Sequence, residues 1–113
     1  MLQIEHKLAV SNLEEILTVP GVDALFVGPS DLSGSMNLLG QVGHENVQSA
    51  IREVRQKCLA AGMPYGIFGM TAEACGKELA AGAALVCMGL DAMHLYNGAC
   101  SELKVLGTLY FKL

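Results

Sequence analysis

Two acidic residues each close an apolar run: Glu5 in Leu2-Gln3-Ile4-Glu5 and, 26 positions on, Asp31 in Phe26-Val27-Gly28-Pro29-Ser30-Asp31-Leu32-Ser33. A carboxylate at the end of a buried strand is costly unless something positive meets it, so two of them invite a shared cation. Carboxylate oxygens are hard ligands, and a pair of them leaves about four positions of an octahedral ion open, which suits Mg²⁺ or Mn²⁺ better than zinc. A chelating ligand with two oxygens could fill two such positions. The ion would then act as a Lewis acid on negative charge developing on that ligand. Such chemistry requires no Schiff-base lysine, and none of Lys7, Lys57, Lys77, Lys104 or Lys112 lies on a predicted inner strand. On the residues alone two plainer roles stay open: Glu5 pairing with a basic neighbour at a strand end, and Asp31 serving a turn or helix cap.

The elements that must position these acids are marked by glycines. Gly21 and Gly28, Gly62 and Gly69, and Gly82 and Gly89 are pairs seven apart, each bracketing an apolar run. The first of each pair follows a helical pattern that a left-handed residue would close; the second ends a short strand, where the chain turns or lets something approach. The bracketed strands are Ala24 to Val27, Tyr65 to Phe68 and Leu85 to Met88, with Met1 to Ile4 preceding them. Between them, Ser11 and Glu14 read as a capping box opening a helix that Pro20-Gly21 closes. Val47, Ile51, Val54, Cys58 and Ala61 recur at helical spacing from Glu45 to Ala61, and Thr71 caps a third helix that stops at Gly82.

Alternating strands and helices make a parallel sheet with right-handed crossovers, and ligands of such sheets lie beyond the carboxyl ends of the strands. Glu5 and Asp31 both fall there, on consecutive strands. The step from Gly21 to Gly62 is 41 residues, against 20 from Gly62 to Gly82, and much of the excess is the loop Pro29 to His44 at the ligand end. Asp91 caps a last helix that Asn97-Gly98 is expected to break, and the remainder has no clear period. His6 alternates away from Glu5, His44 belongs to a helix start, and His94 is expected at the surface; none reads as a ligand.

With 113 residues, 52% of them hydrophobic, the chain fits one domain whose strands are buried on both faces. A net charge of -4 with scattered basic residues excludes the electrostatic footprint of a nucleic-acid or anionic-membrane binder. Cys58, Cys75, Cys87 and Cys100 show neither C-x-x-C nor zinc spacing and read as free thiols of a reducing cytosol. No apolar run reaches the roughly 18 residues of a membrane span, and charge comes too early for a signal peptide, so the expected location is cytoplasmic. Neither G-x-G-x-x-G nor G-x-x-x-x-G-K-[ST] is present, leaving nucleotide binding without support.

Gln3-Ile4-Glu5, Val19-Pro20-Gly21-Val22-Asp23, Phe26 to Ser33 and Val86-Cys87-Met88-Gly89-Leu90-Asp91 together resemble the C-terminal part of the HpcH/HpaI aldolase family, metal-dependent class II pyruvate aldolases akin to citrate lyase β-subunits. The resemblance covers residues 1 to 95, and residues 96 to 113 depart from it. It implies an α/β fold, a partial TIM (β/α)₈ barrel in which this chain supplies strands five to eight, whereas whole barrels need roughly 250 residues. It further implies a carbon-carbon lyase acting on a pyruvate-derived 2-oxo acid and an aldehyde. Glu5 and Asp31 would be the ligands of Mg²⁺ or Mn²⁺, Gln3 would contact substrate, the backbone at Ser30 and Asp31 would hold the pyruvyl carboxylate, and Phe68 would face substrate. The family's catalytic base and arginine lie in the earlier half, so the resemblance places no catalytic residue here, and the chain reads as a fragment. A homo-oligomer or a companion half-barrel is the expected partner. Two other readings compete: a non-catalytic binding or assembly module, and a small doubly wound domain with an open sheet.

Overall fold

A computed structural model describes residues 1–110. Four strands, β1 (Leu2–Ile4), β2 (Leu25–Val27), β3 (Tyr65–Gly69) and β4 (Leu85–Met88), form one sheet in the order β1-β2-β3-β4, every neighbouring pair parallel. Six helices connect and follow them: α1 (Lys7–Ser11), α2 (Leu13–Leu17), α3 (Pro29–Ser35), α4 (Glu45–Ala60), α5 (Ala72–Ala80) and α6 (Asp91–Tyr110). Because the order never reverses, there is no switch point of the kind a doubly wound sheet requires, and that alternative is overturned.

Alternation along the strands divides the sheet into two unlike faces. Ile4 pairs with Val27 and Val27 with Ile67, and all three are buried beneath helices, as are Leu25 and Tyr65 in the next row. Val10 and Leu13 of the first two helices, Leu32 of α3, and Val47, Ile51, Val54 and Cys58 of α4 complete this core. The opposite row is Gln3, Phe26, Gly66 and Leu85, and a further pair there is Phe68 with Cys87. Gln3 and Cys87 are exposed, Phe26 and Phe68 half-buried, and Leu85 is 47% exposed. The expectation of strands buried on both faces therefore holds for one face only among the described residues.

Local chemistry explains most helix boundaries. The side chains of His44 and Thr71 accept the backbone N–H groups of Asn46 and Ala74, opening α4 and α5. Gly62 and Gly82 follow α4 and α5 at φ +66° and +100°, conformations that cost other residues more. Two local expectations fail, at the start of α2 and within α6, while His94 lies at the surface as expected. Ser11 and Glu14 make no capping box: the Ser11 hydroxyl donates to the Lys7 carbonyl, and two short helices meet at Asn12. Asn97-Gly98 does not break α6, because Ala99, Glu102, Leu103, Lys104 and Leu106 are strong helix formers that outweigh one glycine costing about 1 kcal/mol. His94 is exposed but engaged, its Nε2 lying 3.0 Å from the Met88 carbonyl. Residues 111–113 of the divergent tail lie outside the described residues. No described helix is long and apolar enough to cross a membrane.

The helix layer is stitched at its waist by Glu78. Its Oε2 accepts from Arg55 Nη1 at 3.0 Å and from the Tyr65 hydroxyl at 3.3 Å, linking α5 to α4 and β3. Glu78→Ala would leave a half-buried guanidinium and a buried phenol short of an acceptor, and we expect a loss of about 1–3 kcal/mol, read from the urea midpoint. Burial, reinforced by the Glu78 charge, pushes the Tyr65 phenol above its ordinary value of 10.0. The unfolded chain then releases this proton at lower pH than the folded one, so above about pH 10 the unfolded state binds fewer protons and stability falls as pH rises. Tyr65→Phe should flatten that alkaline decline in a series of urea titrations; an unchanged decline would place its origin elsewhere.

Candidate active site

Glu5 is held between two fixed elements. Ile4 is anchored in the core at 1% exposure, so Gln3 and Glu5 on either side of it are turned to the open face. One residue later the His6 imidazole accepts the Leu8 N–H through Nδ1 at 3.1 Å and caps α1. His6 is thus a helix cap, and the strand to which alternation would assign it has already ended. The Lys7 N–H next donates to Ser35 Oγ at 2.9 Å, while Ser35 Oγ donates to the Leu32 carbonyl at 2.7 Å. That hydroxyl ties the segment leaving Glu5 to α3.

The segment Pro29 to His44 carries a helix in its first part. Pro29 occupies the first turn of α3, where its missing N–H is no loss, and Pro29, Leu32 and Ser33 are buried. Ser33 Oγ donates to the Ser30 carbonyl at 2.6 Å, satisfying a fully buried hydroxyl. With that side of the helix fixed inward, Ser30 and Asp31 are left exposed, and Asp31 lies in the first turn, where the helix dipole favours a negative charge.

The two acids are thereby placed at the carboxyl ends of adjacent paired strands. Gly28 N–H donates to the Ile4 carbonyl at 3.2 Å, setting Glu5 beside Gly28, three residues from Asp31. The side chains of Gln3 and Glu5 both rest over Gly28: a β-carbon there would stand 2.7 Å from Gln3 Nε2 and 3.3 Å from Glu5 Oε2. Ser30 and Phe68 both line a hollow of about 410 Å³ that Ile51, Ile67 and Cys75 also line. Of the predicted residues, Gln3 and Glu5 share the space over Gly28, Ser30 and Phe68 share the lining of the hollow, and Asp31 follows Ser30 in the first turn of α3. No three His, Cys, Asp or Glu side chains gather among the described residues in a way that could hold a metal ion.

Sequence reasoning missed His6, Ser35 and the packing role of Gly28. Nothing local signals a histidine cap or a hydroxyl 28 residues away from the amide it receives. Gly28 did carry a signal, since the glycine pairs mark strand ends where something approaches closely; what approaches is the protein's own Gln3 and Glu5.

Known proteins give this arrangement a context. The family model described as HpcH/HpaI aldolase/citrate lyase matches residues 1–98. The chain is 44% identical over 105 residues to the 2-dehydro-3,6-dideoxy-6-sulfogluconate aldolase of Pseudomonas putida, covering 93% of this chain and 41% of that protein. It is 38% identical over 102 residues to the 2-keto-3-deoxy-L-rhamnonate aldolase of Escherichia coli, covering 90% and 38% respectively. The crystal structure of an HpcH/HpaI aldolase/citrate lyase family protein from Burkholderia cenocepacia J2315 superposes with a TM-score of 0.90 at 33% identity, over 93% of this chain and 41% of that one. The chain spans about two fifths of the length of these relatives, and its four parallel strands with their helices are a partial (β/α)₈ barrel. On the strength of these matches, the chain belongs to the HpcH/HpaI aldolase/citrate lyase family.

Proposed function

We propose that this chain supplies the cation- and 2-oxo-acid-binding part of a class II aldolase, a lyase that breaks or forms a carbon-carbon bond beside a pyruvate-derived 2-oxo group, with an aldehyde as the other partner. The observation that carries this reading is the seating of Gln3 and Glu5 together over Gly28, at the strand ends where Asp31 also lies, in a member of an aldolase family. The two relatives above are named as aldolases of 2-dehydro or 2-keto deoxy sugar acids, which supports the substrate class.

The donor set fits a hard divalent ion. Glu5 and Asp31 offer exposed carboxylates with no clustered His or Cys beside them, the oxygen-only chemistry that suits Mg²⁺ or Mn²⁺. When bound, such an ion supplies Lewis-acid stabilisation of the negative charge that develops on the 2-oxo group. Around it, Gln3 would donate its amide to the substrate. The N–H groups of Ser30 and Asp31, in the first turn of α3 where N–H groups lack intrahelical acceptors, would receive the carboxylate. Phe68, on the same face of the sheet as Gln3, would give an apolar wall. Proton transfer falls to groups the family carries earlier in the barrel.

A second reading, as a binding or assembly module without turnover, is favoured by the uncovered face. Leu85, Phe26 and Phe68 there, with edges at β1 and β4 that pair with no further strand among the described residues, call for a companion half-barrel or a further copy. Turnover separates the two readings when the earlier half of a family barrel is supplied in trans: retro-aldol cleavage or oxaloacetate decarboxylation that depends on this chain would exclude the module. The cation assignment is tested by calorimetry with Mn²⁺ and oxalate. The wild type should bind both, and Glu5→Ala should bind Mn²⁺ about tenfold more weakly or worse. Equally weak binding by the two proteins would remove Glu5 as a ligand.

A further inference from the structure

Gly28 has no conformational reason to be glycine. Its φ of -101° and ψ of 91° are open to any L-residue, and the position lies at a strand end and not in a left-handed turn. Glycine there costs chain entropy without giving the backbone anything in return. What it provides is space. The three atoms nearest to an added β-carbon are Gln3 Nε2 at 2.7 Å, Glu5 Oε2 at 3.3 Å and Glu5 Cβ at 3.4 Å. All belong to the two side chains assigned to the substrate and the cation, and none to backbone or to the helix layer. At Gly66 and Gly69, by contrast, the equivalent space is taken by the Phe26 ring and the Cys75 thiol, which is ordinary close packing.

From this we propose that Gly28 is a positioning residue: its bare Cα is the floor on which the Gln3 carboxamide and the Glu5 carboxylate are seated beside each other. A methyl group would enter the place of the Gln3 amide. Gln3 is exposed and flexible, so it can swing aside at little cost to the fold, but the donor would leave its place next to the carboxylate. Glu5 is disturbed less, since its nearest contact is longer. The inference rests on the reading of Gln3 and Glu5 given under the proposed function, and it adds that their relative placement is set from below by an absent side chain.

The test compares wild type, Gly28→Ala and Gln3→Ala as full 113-residue chains. Three measurements are made: the urea midpoint, the side-chain amide signals of Gln3 by ¹⁵N NMR (assigned by their loss in Gln3→Ala), and calorimetry with Mn²⁺ alone and with oxalate in its presence. Gly28→Ala is expected to keep its midpoint, move the Gln3 amide signals, and weaken oxalate about tenfold, with a smaller loss for Mn²⁺ alone. Unmoved Gln3 signals, or oxalate binding equal to wild type, would overturn the proposal. If Gly28→Ala fails to fold, adding Gln3→Ala removes the 2.7 Å conflict and should restore the fold; a double variant that stays unfolded overturns the proposal too. If wild type binds neither Mn²⁺ nor oxalate, the cation reading falls, while the amide signals still decide whether Gly28 seats Gln3.

Discussion

The parallel register of β1 against β2 is the constraint on which the candidate site depends. Leu2 pairs with Leu25, Gln3 with Phe26 and Ile4 with Val27, and the Gly28 N–H closes the ladder onto the Ile4 carbonyl. Side chains alternate with a period of two, so a slip of one residue would bury Gln3 and Glu5 among leucines and valines and turn Ile4 outward. Desolvating a carboxylate in that core costs far more than any rearranged contact would return. The register is therefore enforced by Ile4, Leu25 and Val27, three residues with no chemistry of their own.

Binding groups and core are thus specified on opposite faces of the same strands. The helix-covered face buries Leu13, Leu32, Val54 and Tyr65, and its polar groups are satisfied: Ser33 by the Ser30 carbonyl, Tyr65 by Glu78. The other face carries the amide of Gln3, the carboxylate of Glu5 and an apolar strip through Phe26, Phe68 and Leu85. Rigid support behind and accessible groups in front are what a site needs if its ligands are to keep their positions.

Elements governed by local chemistry were legible in the sequence. The strands β1 to β4, the long helix α4 with its buried Val47, Ile51, Val54 and Cys58, and the glycine-marked ends of α4 and α5 all follow from periodicity, capping and backbone freedom. The acids at the ends of β1 and β2 were legible because a lone charge ending an apolar run is unusual. Contacts between segments distant in sequence were not. The Lys7 to Ser35 tether and the Glu78 link to Arg55 and Tyr65 leave no local pattern, and at Ser11 and Glu14 a well-formed capping signature lost to a break at Asn12. Helix α6 ran through Asn97-Gly98 because propensity summed over many residues outweighs a few weak positions.

The unreversed strand order also bears on how the chain acquires its shape. Each described strand docks on the one made just before it, across a connection that itself folds into the covering helices, so none of the three described pairings waits for a strand made later in the chain. Closure entropy is met in small instalments, and a nascent chain leaving the ribosome can add one strand-helix unit at a time onto a template already in place.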